Sequence, residues 1–314
     1  MKDLELFCWT VHDLSSPIRL DVFCTGSLEG ISRSQLKTGL QSISVNGIAT
    51  KLSKKVNNGD KIELRFKAQK PETLQLFPYP LKIVYEDSNI IVLNKPSGMV
   101  THPAGGHYTK TLVNALEDYR RNRSPIRDAY APCDLNFNDE NLRRGIVHRL
   151  DKDTSGLILT VRNDAAKKFY LAQFKQRRVK KYYLAILRDR LSASEAVIKT
   201  SIFRSSKNRR KFSASSDLSR GKIAVSRYKV LRRFGDYALV LFRIYTGRTH
   251  QIRVHAKFLN SALVGDSLYA KDKKNPLMLH ALRLTIPAQD GKRLSFQTKI
   301  PKRFRDFYRE HKTQ

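Results

Sequence analysis

Apolar residues fall in short runs along most of the chain, and two spacings recur: alternation, and a return every three or four positions. Ile18, Leu20, Val22 and Phe23 open one periodic stretch, and Ile31-Ser-Arg-Ser-Gln-Leu opens another, with Ser32 placed to cap a helix. Ile43-Ser-Val45-Asn46-Gly47-Ile48 predicts a strand, a two-residue turn and a return strand. Gly59-Asp60 makes a second turn ahead of Ile62-Glu-Leu64. Farther on, Ile83-Val-Tyr85 and Ile90-Ile-Val-Leu93 flank the turn Glu86-Asp-Ser-Asn89 and predict a hairpin closed by Asn94-Lys95-Pro96-Ser97-Gly98. Ala166, Tyr170 and Phe174 recur every fourth residue and Phe169 widens their stripe, which predicts a helix over 165–179. Tyr182 to Leu187, Val225 to Leu231 and Tyr237 to Ile244 read as strands.

Polar stretches punctuate this pattern. Residues 69–80 carry Pro71, Pro78 and Pro80 and read as a linker; 120–141 read as an irregular insertion, and 205–222 as a long surface loop. The expected organisation is an N-terminal extension over 1–16, a small domain over 17–68, the linker, and a large domain over 81–314.

Charge adds a partner class. Sixty Lys and Arg against 28 Asp and Glu leave a formal charge of +32. Such an excess concentrates and captures polyanions, which favours nucleic acid as the partner, although an anionic membrane surface would attract it as well. The first residues lack the layout of a signal peptide, and no apolar run approaches a membrane span. No membrane partner is expected. Cys8, Cys24 and Cys133 are odd in number and widely spaced, which predicts neither a disulfide framework nor a zinc site and suits a reducing cytoplasm.

The most informative string is Gly145-Ile-Val-His148-Arg149-Leu150-Asp151-Lys152-Asp153-Thr154-Ser155-Gly156-Leu157-Ile158-Leu159. Two apolar ends enclose a polar middle, so a carboxylate is fixed in a loop between rigid elements. Taken alone, Asp151 fits a turn-stabilising residue, and Asp151-Lys-Asp153 fits the DxD metal site of a glycosyltransferase.

The whole string resembles the H-R-L-D-x-x-T-S-G motif of the RluA family of pseudouridine synthases. Two other segments resemble further motifs of that family: Lys180-Lys181-Tyr182-Tyr183-Leu184-Ala185, and Gly247-Arg248-Thr249-His250-Gln251-Ile252-Arg253. "NKPSGMVTHP", "GKIAVSRYKVL", "LVGDSLYA" and "LMLHALRL" follow the family's order as well, while 120–141 match nothing. The small domain resembles the S4 RNA-binding domain through "RLDVF", "SRSQL", "SVNG" and "NNGDKIEL".

These resemblances imply an α+β chain: a small S4-like α/β domain, then a catalytic domain on a mixed, largely antiparallel sheet flanked by helices. They imply an isomerase that converts RNA uridine to pseudouridine without a cofactor. Asp151 would be the catalytic carboxylate, Arg253 its ion-pair partner and Tyr183, rather than Tyr182, the phenol of the pocket. Alternation along a strand allows only one of the two tyrosines to face it. A close guanidinium would favour the ionised carboxylate. His148, Arg149, Arg248, His250, Lys180 and Lys181 would contact substrate RNA, and Arg33 and Lys37 would do so from the small domain. Basic runs at 175–181 and 207–211 would hold phosphates. Thr249 is expected to cap a helix whose one face carries His250, Arg253 and Lys257. A zinc site at His250 and His255 is disfavoured by their spacing of five. Ribosomal RNA of the large subunit is the preferred target and transfer RNA the other, for a chain acting as a monomer. The rival expectation is a non-catalytic RNA-binding or ribosome-assembly factor of the same architecture.

Overall fold

Alternation and turn chemistry place most strands where the pattern expects them. The computed structural model describes residues 4–28, 33–67, 74–103, 109–126, 144–205, 208 and 211–312. Ser32, residues 127–141 of the insertion, and Lys207, Arg209 and Arg210 lie outside these. The chain divides into two units, Met1–Thr73 and Leu74–Gln314.

In the first unit, β1 (Leu4–Thr10), β6 (Lys61–Lys67), β3 (Leu40–Val45) and β4 (Ile48–Ala49) form an antiparallel sheet in that order. The short pair β2 (Ile18–Arg19) and β5 (Lys55–Val56) stands apart. Helices α1 (Leu20–Ser27) and α2 (Arg33–Gly39) cover an apolar core that includes Leu20, Cys24, Leu36, Ile43, Val45, Ile62 and Leu64. Asn46 and Gly47 take φ values of 54° and 77°, as a tight hairpin turn requires. Residues 4–10 differ from the expected extension: as β1 they pair along the whole of β6. β1 is an edge strand, along which Leu6, Cys8 and Thr10 are exposed while Phe7 and Trp9 are half-buried.

The second unit is built on a ten-stranded sheet. Its order is β12 (Phe212–Ser215), β11 (Glu195–Arg204), β13 (Lys222–Phe234), β14 (Tyr237–Ile244), β10 (Lys180–Arg188), β15 (Leu279–Pro287), β9 (Ser155–Val161), β8 (Ile90–Lys95) and β7 (Lys82–Glu86). Strand β16 (Arg293–Gln297) joins β15 from the side. All pairings are antiparallel except β15 with β9. Helices α3 (Leu112–Asn122), α4 (Asp164–Lys175), α5 (Gln251–Phe258) and α6 (Lys302–His311) accompany it. No described helix is long and apolar enough to cross a membrane.

Three polar segments are more ordered than their composition predicts. Residues 120–122 end α3, where Arg120 is buried and donates to the Val161 carbonyl at 2.7 Å. Within 205–222, Phe212–Ser215 pairs with β11, so a hairpin replaces the expected loop. Residues 74–80 belong to the large unit and pack on its core through the rings of Phe77 and Tyr79, and Leu74 is buried. In each case tertiary pairing or burial outweighs local polarity.

Candidate active site

The loop that carries Asp151 runs into β9, with Val147 and Leu150 buried as its apolar anchors. The turn after β8 holds it from below. Thr101 Oγ1 donates to the Leu150 carbonyl at 2.7 Å, Gly98 N to Lys152 O at 2.9 Å, and Ser97 Oγ to Asp153 O at 2.7 Å. Lys95 is fully buried, and its Nζ donates to the carbonyls of Pro96, Met99 and Lys152 at 2.7, 2.8 and 3.1 Å. Burial pushes its pKa down to about 7. Its three acceptors match the three hydrogens of the ammonium. At the start of β9, Gly156 has φ 115°, and a Cβ there would stand 2.3 Å from the Ala281 carbonyl oxygen. The close parallel contact with β15 therefore requires glycine beside the reactive loop.

A cleft of about 360 Å³ opens over the middle of the sheet. Asp151, Tyr183 and Arg253 all line it, brought together from the loop before β9, from β10 and from α5. Asp151 keeps 17% of its side-chain surface exposed, and its Oδ2 lies 3.7 Å from Arg253 Nη1. That distance is an ion pair without a direct hydrogen bond. The tighter partner of Arg253 is Asp266, which accepts from Nε at 2.8 Å and from Nη2 at 2.9 Å. Asp266 is buried and also accepts from the backbone N–H groups of Leu268 and Tyr269. Burial opposes its ionisation, yet the guanidinium and the two N–H groups outweigh burial and hold its pKa below the usual range. Arg253 is thus held on one side by Asp266, leaving Nη1 free to face Asp151. Asp266 went unrecognised in the sequence; a lone acid within the apolar run Ala262-Leu-Val-Gly-Asp-Ser-Leu was the available sign.

Tyr183 lies buried in the cleft wall, whereas Tyr182 packs with Arg243 and Arg283. Burial, reinforced by Asp151, pushes the Tyr183 hydroxyl well above its ordinary pKa, so the phenol stays neutral.

Other expected contacts are placed as follows. Arg149 is exposed at the cleft edge. His148 lines the cleft, but its Nε2 accepts from Leu159 N at 2.9 Å and its ring lies 4.8 Å from that of Phe174, so it also braces the loop. Burial lowers its pKa to about 3, which keeps it neutral. Arg248 lines the cleft while its Nε donates to Ile223 O at 3.1 Å. Lys181 lines it too, over the Phe174 ring at 5.6 Å, and burial lowers its pKa to about 8. Lys180, half-buried, begins β10 outside the cleft lining. Arg33 and Lys37 sit exposed on α2 of the first unit.

The expected single face of His250, Arg253 and Lys257 does not form. Thr249 is not the cap: His250 precedes the helix in the left-handed region at φ 56°, and α5 begins at Gln251. Arg253 is buried while Lys257 is exposed. Gln251 enforces this start, because it accepts from Thr246 Oγ1 and Arg248 N and donates to Val225 O and Ser226 Oγ. His255 is fully buried between Thr200 and Ser226 hydroxyls, so it shares no ligand site with His250. Among the described residues, no group of three or more His, Cys, Asp or Glu is placed to hold a metal ion.

An acid beside a fixed guanidinium, in a cleft of nucleoside size edged by cations, suits chemistry on a nucleic acid base. Residues 89–258, which carry most of this site, match the family model described as RNA pseudouridylate synthase. The chain belongs to that family. It is an RNA pseudouridine synthase, an isomerase acting on uridine in RNA. A ribosomal large subunit pseudouridine synthase D of Borreliella burgdorferi is 39% identical over 91% of this chain and 87% of its own length. An RNA pseudouridine synthase of Bacillus subtilis is 36% identical, covering 90% of each chain. Among solved structures, human RNA pseudouridylate synthase domain containing 1 is similar with a TM-score of 0.55 and 28% identity, over 74% of this chain and 86% of its own.

Proposed function

We propose that this synthase acts on large-subunit ribosomal RNA in the cytoplasm, with Asp151 as the catalytic carboxylate, and that its N-terminal unit is an S4-type RNA-binding domain. One observation carries the catalytic part. Asp151 faces Arg253 at 3.7 Å in the same cleft as buried Tyr183, although the three come from distant parts of the chain. The names of relatives such as the Borreliella enzyme support the choice of ribosomal RNA.

The reaction breaks the bond from the ribose anomeric carbon to uracil N1 and makes one from the same carbon to C5. C5 gives up its proton and N1 regains one, so atoms and electrons balance without a cofactor. The carboxylate can attack the anomeric carbon, attack the uracil ring or remove a sugar proton; in each use the reactive form is ionised. Arg253, fixed by Asp266, presents its guanidinium to the carboxylate at 3.7 Å. Tyr183 offers a neutral aromatic face for the detached base. The target nucleotide must first leave its stack, at a cost of a few kcal/mol. Arg149, exposed at the cleft edge, fills the space it vacates, and Lys181 and Arg248 hold neighbouring phosphates.

The test is Asp151→Asn in the full chain, with pseudouridines mapped in RNA from cells that carry wild type, variant or neither. RNA affinity and melting behaviour should persist while specific pseudouridines disappear from the large-subunit RNA. Turnover retained by purified Asp151→Asn would remove the carboxylate from the reaction. Modification confined to transfer RNA would redirect the substrate.

A further inference from the structure

His250 is the second nitrogen-bearing side chain facing Asp151, and its surroundings fix more than its position. Nε2 lies 3.9 Å from Asp151 Oδ2. The other ring nitrogen, Nδ1, lies 2.8 Å from the hydroxyl of Tyr269. That hydroxyl accepts a backbone hydrogen bond from Phe212 N at 2.9 Å, at the start of β12. The ring of Tyr269 also lies under the Arg253 guanidinium, 5.1 Å from its carbon, and its backbone N–H donates to Asp266. The side chain of Tyr269 therefore contacts both groups that face the carboxylate, and its backbone helps to hold Asp266, the partner of Arg253.

A neutral imidazole carries its proton on one nitrogen only, and two arguments choose which. If Nδ1 carried it, the lone pair on Nε2 would face an anionic carboxylate, an unfavourable pairing. With the proton on Nε2, an N–H faces the carboxylate and the Nδ1 lone pair faces Tyr269. The phenol argues the same way. Its oxygen already accepts from Phe212, and its own hydrogen needs an acceptor, which Nδ1 provides. Burial pushes the Tyr269 hydroxyl up to about 12, so it keeps its hydrogen, and burial lowers the His250 pKa, so the ring is neutral. The backbone amide of Phe212 cannot change its role, and this makes the chain from Phe212 to Tyr269 to His250 directional.

We propose that Tyr269 is a positioning residue, which holds His250 in its Nε2-protonated tautomer so that an imidazole N–H, and not a lone pair, is presented to Asp151. The proposal rests on the assignment of Asp151 as the catalytic carboxylate. The N–H steadies the ionised acid alongside Arg253 and leaves it a hydrogen-bond donor in the cleft after the acid reacts. The left-handed φ of His250 keeps its ring in the cleft, rather than along α5, where it meets both partners.

Tyr269→Phe is the test, because it removes one oxygen and keeps the ring beneath Arg253. Nitrogen NMR of histidine-labelled full-length wild type should show His250 protonated at Nε2. In Tyr269→Phe that resonance should shift towards a mixture of tautomers. Single-turnover conversion of unmodified RNA from cells lacking the protein should slow roughly tenfold, the worth of one hydrogen bond, with affinity for that RNA unchanged. Wild-type His250 protonated at Nδ1, or a variant with unaltered tautomer and rate, would overturn the proposal. The wild-type spectrum decides even if the variant folds poorly. It is also independent of turnover, so failure of the Asp151 assignment, read from Asp151→Asn, is seen separately.

Discussion

Lys95 never reaches the cleft lining, yet its three carbonyl bonds tie the turn after β8 to the loop that carries Asp151. Lys95→Met keeps the apolar stem and leaves those carbonyls without the ammonium. The expected cost is about 3 kcal/mol, read as a lower urea midpoint with an unchanged slope. Lys181 makes a different case, since it faces the cleft and burial has already brought its pKa to about 8. Only the protonated amine attracts a phosphate, so RNA affinity should fall as pH rises from about 7 to 9. Lys181→Met should bind more weakly at pH 7 and lose that part of the pH dependence in a fluorescence-anisotropy titration. Equal pH profiles for the two proteins would place the phosphates elsewhere.

Among elements, the decisive contact is the parallel joint between β9 and β15, where Ser155 and Gly156 meet His280 and Ala281. A methyl group on Gly156 would run into backbone atoms of Ala281 that cannot move without shifting β15. Gly156→Ala should therefore cost about 3 kcal/mol and displace the Asp151 loop, lowering both melting temperature and turnover. Much of this architecture was legible in advance. The hairpin of β7 and β8, helix α4 and strands β10, β13 and β14 follow from alternation or fourfold spacing, whereas strand parity required only that one of Tyr182 and Tyr183 face the cleft, and the family resemblance chose Tyr183. Other features were hidden because they depend on partners distant in sequence. Strand β12 is short and holds through β11 and through Phe212 and Ala214 packed at Val254; His250 takes a left-handed conformation where Gln251 ties down the preceding turn at Thr246 and Arg248; Asp266 gains its role only once Arg253 folds over it. Sequence spacing on an assumed helix put His250, Arg253 and Lys257 on one face, and a start one residue later undid that arrangement.

For the whole molecule, the charge of +32 is large beside the few cations in the cleft, so most of the attraction for RNA must act outside it. On α2, Arg33 and Lys37 are exposed at positions four apart and share a face, with Lys54 and Lys55 farther along the same unit. If this unit binds RNA as an S4-type domain would, its cations contribute counterion release but no chemistry. Each phosphate contact on a single strand adds about 0.7 to the slope of log affinity against log salt. Replacing Arg33 and Lys37 together by glutamate in the full chain should therefore flatten that slope by about 1.4 if each residue holds one phosphate. The conversion rate at saturating RNA should stay at its wild-type value, because neither side chain lines the cleft. Asp151→Asn should do the opposite, keeping the slope and losing the conversion. A double glutamate variant with the wild-type slope would show that neither Arg33 nor Lys37 holds a phosphate, and the basic face of α2 would then need another explanation.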